Sequence, residues 1–267
     1  MLVPTLTRQR LLRLPSGNHL NLIEQGESEG LPVLLLHGWP DSSQSWELVQ
    51  ALLPSAWRVF AIDQRGHGHS DRPREGYAID QLAADVEALL DELGLPRSVV
   101  VGHSMGSFVA RRVAERAPGR VSGLVLIGTA PVARNAALLA LAPAVHALRD
   151  PVNMAFVREF QESTVARPVP AEFMARAIRQ SQRVPARIWQ AVFEGLLSFE
   201  PGPPPRCPTL VTGGTRDGLF SVAEQEAVSA AIPGARIDLV EGVGHALHWE
   251  APEIFATSLL HFVKELR

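Results

Sequence analysis

Short apolar runs rich in valine, leucine and isoleucine recur along the chain, bounded by glycine, proline or polar turns. Runs at 9–14, 20–24, 33–36, 58–62, 98–101, 121–127, 209–212 and 236–240 predict strands. Apolar positions spaced three and four apart predict amphipathic helices at 42–53, 79–93, 105–117, 222–231 and 252–266. Strands buried on both faces and joined by helical crossovers make a mainly parallel α/β sheet. The first two runs are linked by Pro15-Ser16-Gly17-Asn18, a tight polar turn that predicts an antiparallel hairpin.

One stretch breaks the alternation. From 131 to 205 there is no strand signal, only helical patterns at 135–148, 152–162, 171–183 and 186–197. Pro201-Gly202-Pro203-Pro204-Pro205 then returns the chain to the next strand. This predicts a helical cap, 131–205, inserted after the sixth strand of a core domain made of 1–130 and 206–267. An independent small domain fits less well, because both ends of the stretch re-enter one sheet.

The chain has 267 residues, 46% hydrophobic and 20% charged, enough to bury a core without a disulfide or metal staple. Its single cysteine, Cys207, precedes an apolar run and reads as a small core residue rather than a reactive thiol. Net charge is −3, arginines are spread out, and Lys264 is the only lysine, so neither nucleic acid nor membrane is an expected partner. No apolar run is long enough to span a bilayer, and the first residues lack the charged-then-apolar pattern of a signal peptide. A cytoplasmic location is the expectation; the sequence sets no oligomeric state.

The strongest chemical signal is Gly102-His103-Ser104-Met105-Gly106, which joins an apolar strand directly to a helix. That context is what a nucleophile elbow requires, whereas an ordinary βα turn would use the serine as an N-cap. A serine hydroxyl is a weak nucleophile and needs a base. His245, in Gly244-His245 between the last strand and the final helix, lies at the carboxyl edge of the sheet; His248 is its competitor. Asp217, in the glycine-rich loop after the seventh strand, is the candidate to orient the imidazole, and the loop after the sixth strand offers no acid. The backbone N–H groups of Trp39 and Met105 are candidate donors to an oxyanion, while His37 reads as a packed histidine. His67 and His69 have no third ligand near them, so Asp63-Gln64-Arg65-Gly66-His67-Gly68-His69-Ser70 predicts a rigid loop, with no metal and no cofactor.

Together, His37-Gly38-Trp39-Pro40, Asp63-x-Arg65-Gly66-x-Gly68-x-Ser70, Gly102-His103-Ser104-Met105-Gly106, Gly214-x-x-Asp217 and Gly244-His245 resemble the α/β-hydrolase superfamily over essentially the whole chain. The resemblance implies an eight-stranded, mainly parallel sheet with a helical cap and a Ser104–His245–Asp217 triad. The loop through Trp39 and Pro40 also resembles epoxide hydrolases, haloalkane dehalogenases and cofactor-free perhydrolases. Epoxide hydrolases and dehalogenases use an aspartate nucleophile where this chain has Ser104, and the one tyrosine, Tyr77, lies outside the cap.

These features point to hydrolysis of a small-molecule carboxylic ester through an acyl-enzyme. Lactone opening or peracid formation with the same residues, and ligand binding without turnover, are the alternatives. Within the cap, Phe156 and Phe160, and Trp189 and Phe193, are spaced four apart and share helix faces. With Trp39 they are the candidates to line an apolar substrate pocket.

Overall fold

The computed structural model describes residues 7–266. The strands are β1 (Thr7–Arg13), β2 (His19–Gly26), β3 (Leu31–Leu36), β4 (Trp57–Ile62), β5 (Ser98–His103), β6 (Val121–Ile127), β7 (Thr209–Gly214) and β8 (Arg236–Val240). They form one sheet in the order β1-β2-β4-β3-β5-β6-β7-β8. β2 pairs antiparallel with both β1 and β4, and every other pairing is parallel. The β1–β2 hairpin closes at Gly17, which holds a positive φ of 89°.

The helices are α1 (Glu47–Gln50), α2 (Ile79–Glu92), α3 (Met105–Arg116), α4 (Ala136–His146), α5 (Met154–Ser163), α6 (Ala171–Gln182), α7 (Ala186–Leu197), α8 (Val222–Ala231), α9 (Leu247–Glu250) and α10 (Pro252–Glu265). Among the described residues, no helix is long and apolar enough to cross a membrane. Successive strand side chains point to opposite faces, and both faces are covered. Val33, Leu35, Val59, Ala61, Val99 and Val101 pack with Trp46, Phe255 and Phe262 on one side. Leu34, Leu36, Phe60, Ile62 and Val100 pack with Phe108 and Val113 on the other.

The helices α4 to α7 fill the strandless stretch between β6 and β7. Leu138, Val145, Phe160, Trp189, Phe193 and Leu196 from them belong to the same buried cluster as Leu34 and Phe108. The insertion therefore shares its apolar core with the sheet.

One local expectation changes. Residues 42–53 do not form one helix but a 3₁₀ turn, Ser43–Trp46, followed by the single turn of α1. The cause is tertiary: Asp63 Oδ1 accepts from the Ser43 N–H at 2.6 Å, and Ser45 N–H closes onto Ser42 O, an i→i−3 bond. His248 lies in a one-turn helix of its own, α9, ahead of α10.

The loop after β4 is built around Asp63. Its carboxylate takes the Ser43 N–H, the Asn21 side-chain amide at 2.8 Å and the His69 N–H at 2.8 Å. Arg65 forms a buried two-pronged pair with Asp85 of α2. This loop anchors the start of the 3₁₀ turn and, through it, the chain segment after β3.

The turn from β5 into α3 is tighter still. A Cβ on Gly102 would lie 2.0 Å from Gly106 O, and one on Gly106 would lie 2.2 Å from Leu36 O. Gly106→Ala must therefore push α3 away from β3, an overpacking cost of about 3 kcal/mol or more. Gly119→Ala, with nothing within 4 Å of its added Cβ, should change stability by less than about 0.5 kcal/mol. Urea unfolding of both variants tests this; an equally stable Gly106→Ala protein would show that α3 has slack the structure does not display.

Candidate active site

Ser104 occupies the corner of the β5–α3 turn at φ 51°, ψ −122°, the one non-glycine residue with positive φ among those described. Such a backbone costs on the order of 1–3 kcal/mol and persists only where its surroundings fix it. Here the Ser104 N–H donates to Ile127 O at 2.9 Å, and its carbonyl accepts from the Ser107 hydroxyl at 2.6 Å. The side chain caps nothing, so its hydroxyl is not spent on the helix as an N-cap would be.

His245 follows β8 and meets Asp217, which follows β7. The His245 Nδ1–H donates to Asp217 Oδ2 at 2.8 Å. Asp217 Oδ1 accepts from the N–H groups of Leu219 and Phe220 at 2.8 and 2.9 Å, so both carboxylate oxygens are held. A Cβ on Gly128, at the end of β6, would reach within 2.9 Å of His245 Nδ1; the missing side chain makes room for the pair. The partner fixes the tautomer: with the proton on Nδ1, Nε2 is a free base. That Nε2 is buried and has no hydrogen-bond partner. It shares one cavity with Ser104.

Neither the Trp39 nor the Met105 N–H donates a backbone hydrogen bond among the described residues. Met105 opens α3, where the helix N-terminus favours negative charge. A hydroxyl, a free imidazole nitrogen and two open N–H groups are the parts that acyl transfer needs.

Four further histidines pack around this arrangement. His37 Nδ1–H donates to Gly38 O at 2.7 Å and its Nε2 accepts from the Gln64 N–H at 3.0 Å, tying the end of β3 to the loop after β4. His103 Nε2–H donates to His245 O at 3.1 Å, so the residue before the serine fixes the loop that carries the base. His248 bonds the Ser45 hydroxyl at 2.9 Å and packs on the Trp46 ring, away from the cavity wall. His67 stacks edge-on against His37, with Nδ1 on Arg65 O.

The cavity is walled by Trp39, Leu138, Phe160, Leu196, Leu219, Phe220 and Trp249, with Asp41, Gln161 and Thr164 as its polar groups besides His103, Ser104 and His245. Of the expected pocket residues, Trp39 and Phe160 are in this wall. Phe156, Trp189 and Phe193 are not. Trp189 and Phe193 are fully buried and pack on the Trp39 ring at 4.9 and 5.3 Å, and Phe156 lies behind Trp189 at 5.6 Å. Helical spacing put each pair on one face but could not say that Trp39 would cover that face.

Sequence reasoning also passed over Asp41 and Gln161. Asp41 accepts from Gln161 Nε2 at 2.9 Å, and burial pushes its carboxyl up to about 7, against smaller lowering by the Gln161 bond and by His245. The signal was present: Gln161 interrupts the apolar stripe of α5 formed by Val157 and Phe160.

Burial lowers His37 to about 4 and His67 to about 3, and it holds His103 and His248 well below the ordinary range. Unfolded, each titrates near 6.5. Each therefore contributes stability that is complete above pH 6.5 and is lost as pH falls toward 4. Asp41 has the opposite sign: its contribution is present below about pH 4 and lost as pH rises toward 7. Four groups outweigh one, so the stability read from urea unfolding should fall by a few kcal/mol between pH 6.5 and 4.5. Asp41→Asn should gain stability over the native chain at pH 8 and gain less at pH 5. A flat profile would mean these histidines are charged in the folded state.

The profile of a family described as alpha/beta hydrolase fold matches residues 32–150. A non-heme chloroperoxidase of Streptomyces lividans is 44% identical over 117 residues, 43% of this chain and 42% of that protein. An esterase from Rhodococcus sp. ECU1013 superposes with a TM-score of 0.84 at 27% identity, covering 97% of this chain and 99% of the esterase. An esterase from Exiguobacterium antarcticum superposes at 0.87 with 24% identity, over 96% of this chain and all of that one, a likeness of fold. The sheet order, the elbow and these matches agree: the chain has the α/β-hydrolase fold.

Proposed function

We propose that this protein hydrolyses small to medium apolar carboxylic esters through an acyl-enzyme on Ser104. The observation that carries the reading is the His245 Nε2, stripped of other partners and facing the same cavity as Ser104 while Asp217 holds the opposite nitrogen. Ser104 Oγ attacks the ester carbonyl as its proton passes to His245 Nε2. The charged imidazole is stabilised by Asp217, and the N–H groups of Trp39 and Met105 take the oxyanion, each about 3 kcal/mol in the transition state. The C–O bond then breaks and the alcohol leaves with the proton from His245. Water, deprotonated by the same nitrogen, attacks the acyl carbon and returns Ser104 with release of the acid. The four-helix insertion acts as a cap, closing Phe160, Leu138 and Leu196 over the serine in a mainly apolar chamber. The resemblance to a Rhodococcus esterase over nearly the whole chain supports the same reading.

Ser104→Ala should abolish turnover of a chromogenic acetate ester while the melting temperature holds, and a fluorophosphonate should add mass at Ser104 alone. Asp217→Asn should slow turnover by about 10⁴-fold, because the imidazole loses its tautomer. Label on another residue, or full activity in either variant, would remove the serine mechanism.

The likeness to the non-heme chloroperoxidase, 44% identical over 117 residues, favours a second outcome for the same acyl-enzyme. Hydrogen peroxide in place of water would attack the acyl carbon, release a peracid and restore Ser104. Peracid from an acetate ester and peroxide should therefore appear faster than with Ser104→Ala; equal rates in the two proteins dispose of this route.

A further inference from the structure

Besides Ser104 and His245, the polar residues in the cavity wall are Asp41, His103, Gln161 and Thr164. Thr164 Oγ1 donates to Gln161 O at 2.7 Å, and His103 Nε2 is taken by His245 O. His103 Nδ1 points at Gly38, where an added Cβ would lie 2.8 Å away. Asp41 and Gln161 differ from these. Gln161 Nε2 donates to Asp41 Oδ1 at 2.9 Å and to the Ser181 hydroxyl at 2.7 Å, which uses both of its N–H groups. What the pair has left for the cavity is Gln161 Oε1 and Asp41 Oδ2, both oxygens. Asp41 is 6% exposed and Gln161 1%.

We infer that Asp41 and Gln161 form a specificity subsite that binds a hydroxyl group of the substrate, so that the preferred esters carry a hydroxyl on the acyl or the alcohol part. The inference rests on the ester-hydrolase reading of this cavity and names its substrate class. A buried carboxylate beside aromatic rings costs free energy unless a donor satisfies it. An apolar ester offers no donor; a hydroxyl offers one, which either free oxygen can accept. An ammonium group fits less well. It would leave water for a chamber with one carboxylate, and its charge would oppose the positive imidazole that His245 must become. The rise of the Asp41 carboxyl to about 7 fits a group held out of water and awaiting a partner. Asp41 and Trp249 also line a second crevice, with Ser42, Ser45, Phe173 and Arg176.

The test compares ethyl butyrate with ethyl 3-hydroxybutyrate, which puts the hydroxyl on the acyl part, and with 2-hydroxyethyl butyrate, which puts it on the alcohol. At pH 8, kcat/KM for one hydroxy ester should exceed that for ethyl butyrate by about 10-fold or more, mainly through KM. The preference should fall toward unity in Asp41→Asn and in Gln161→Met, with melting temperatures checking that each variant folds. Calorimetry on Ser104→Ala with the same three esters reads the subsite without turnover. Tighter binding of a hydroxy ester there, with no hydrolysis by the native chain, would overturn the hydrolase reading and leave the subsite standing. No preference for either hydroxy ester in rate and binding, or a preference unchanged in the folded variants, would overturn the subsite.

Discussion

Everything at this site depends on how closely the β5–α3 turn approaches the end of β3. Gly102 and Gly106 leave no room for a methyl group, and between them Ser104 is forced to φ 51°. That compression sets the Met105 N–H at a helix start and lifts the serine side chain off the helix. The strain is held by bonds from β6 and from Ser107, so the corner is secured by its neighbours rather than by its own preference. Loosening it would move Ser104 relative to His245, which a different loop carries.

The second constraint is electrostatic. His245, His103 and His248 form a contiguous set of rings, with centroids 4.8 and 4.4 Å from that of His103. In such a cluster one positive charge excludes the next, and desolvation already disfavours any charge on His103 and His248. The protein thus surrounds its candidate base with imidazoles kept neutral. Asp217 is the carboxylate that faces the Nδ1–H of His245, and Asp41 is the buried acid in the cavity wall. One carboxylate has both oxygens filled by the chain. The other has an oxygen open to whatever enters.

Much of this was legible along the chain. The strand and helix periods gave the alternating sheet architecture and the strandless insertion, because those patterns depend on local spacing and burial alone. The elbow was legible for the same reason: Gly102, Ser104 and Gly106 act within one turn. Ser104, Asp217 and His245 follow β5, β7 and β8, and a parallel sheet brings the loops after its strands to one edge. The helix expected at 42–53 was not realised, since Asp63 takes the Ser43 N–H and Ser45 turns toward His248.

What only the tertiary structure decided was which side chains meet across long sequence separations. Asp41 and Gln161 are 120 residues apart, and His103 reaches the His245 carbonyl across 142. Periodicity places Phe160 and Gln161 on a buried face of α5 but does not say what that face touches. The same spacing that made Trp189 and Phe193 pocket candidates also suited packing on Trp39, and the rotation of α7 against the sheet chose packing. Local sequence determined the elements and the reactive groups, because backbone sterics and burial act over a few residues. The shape and polarity of the chamber came from the way separate helices settle on one sheet, where the deciding contacts have no sequence period to announce them.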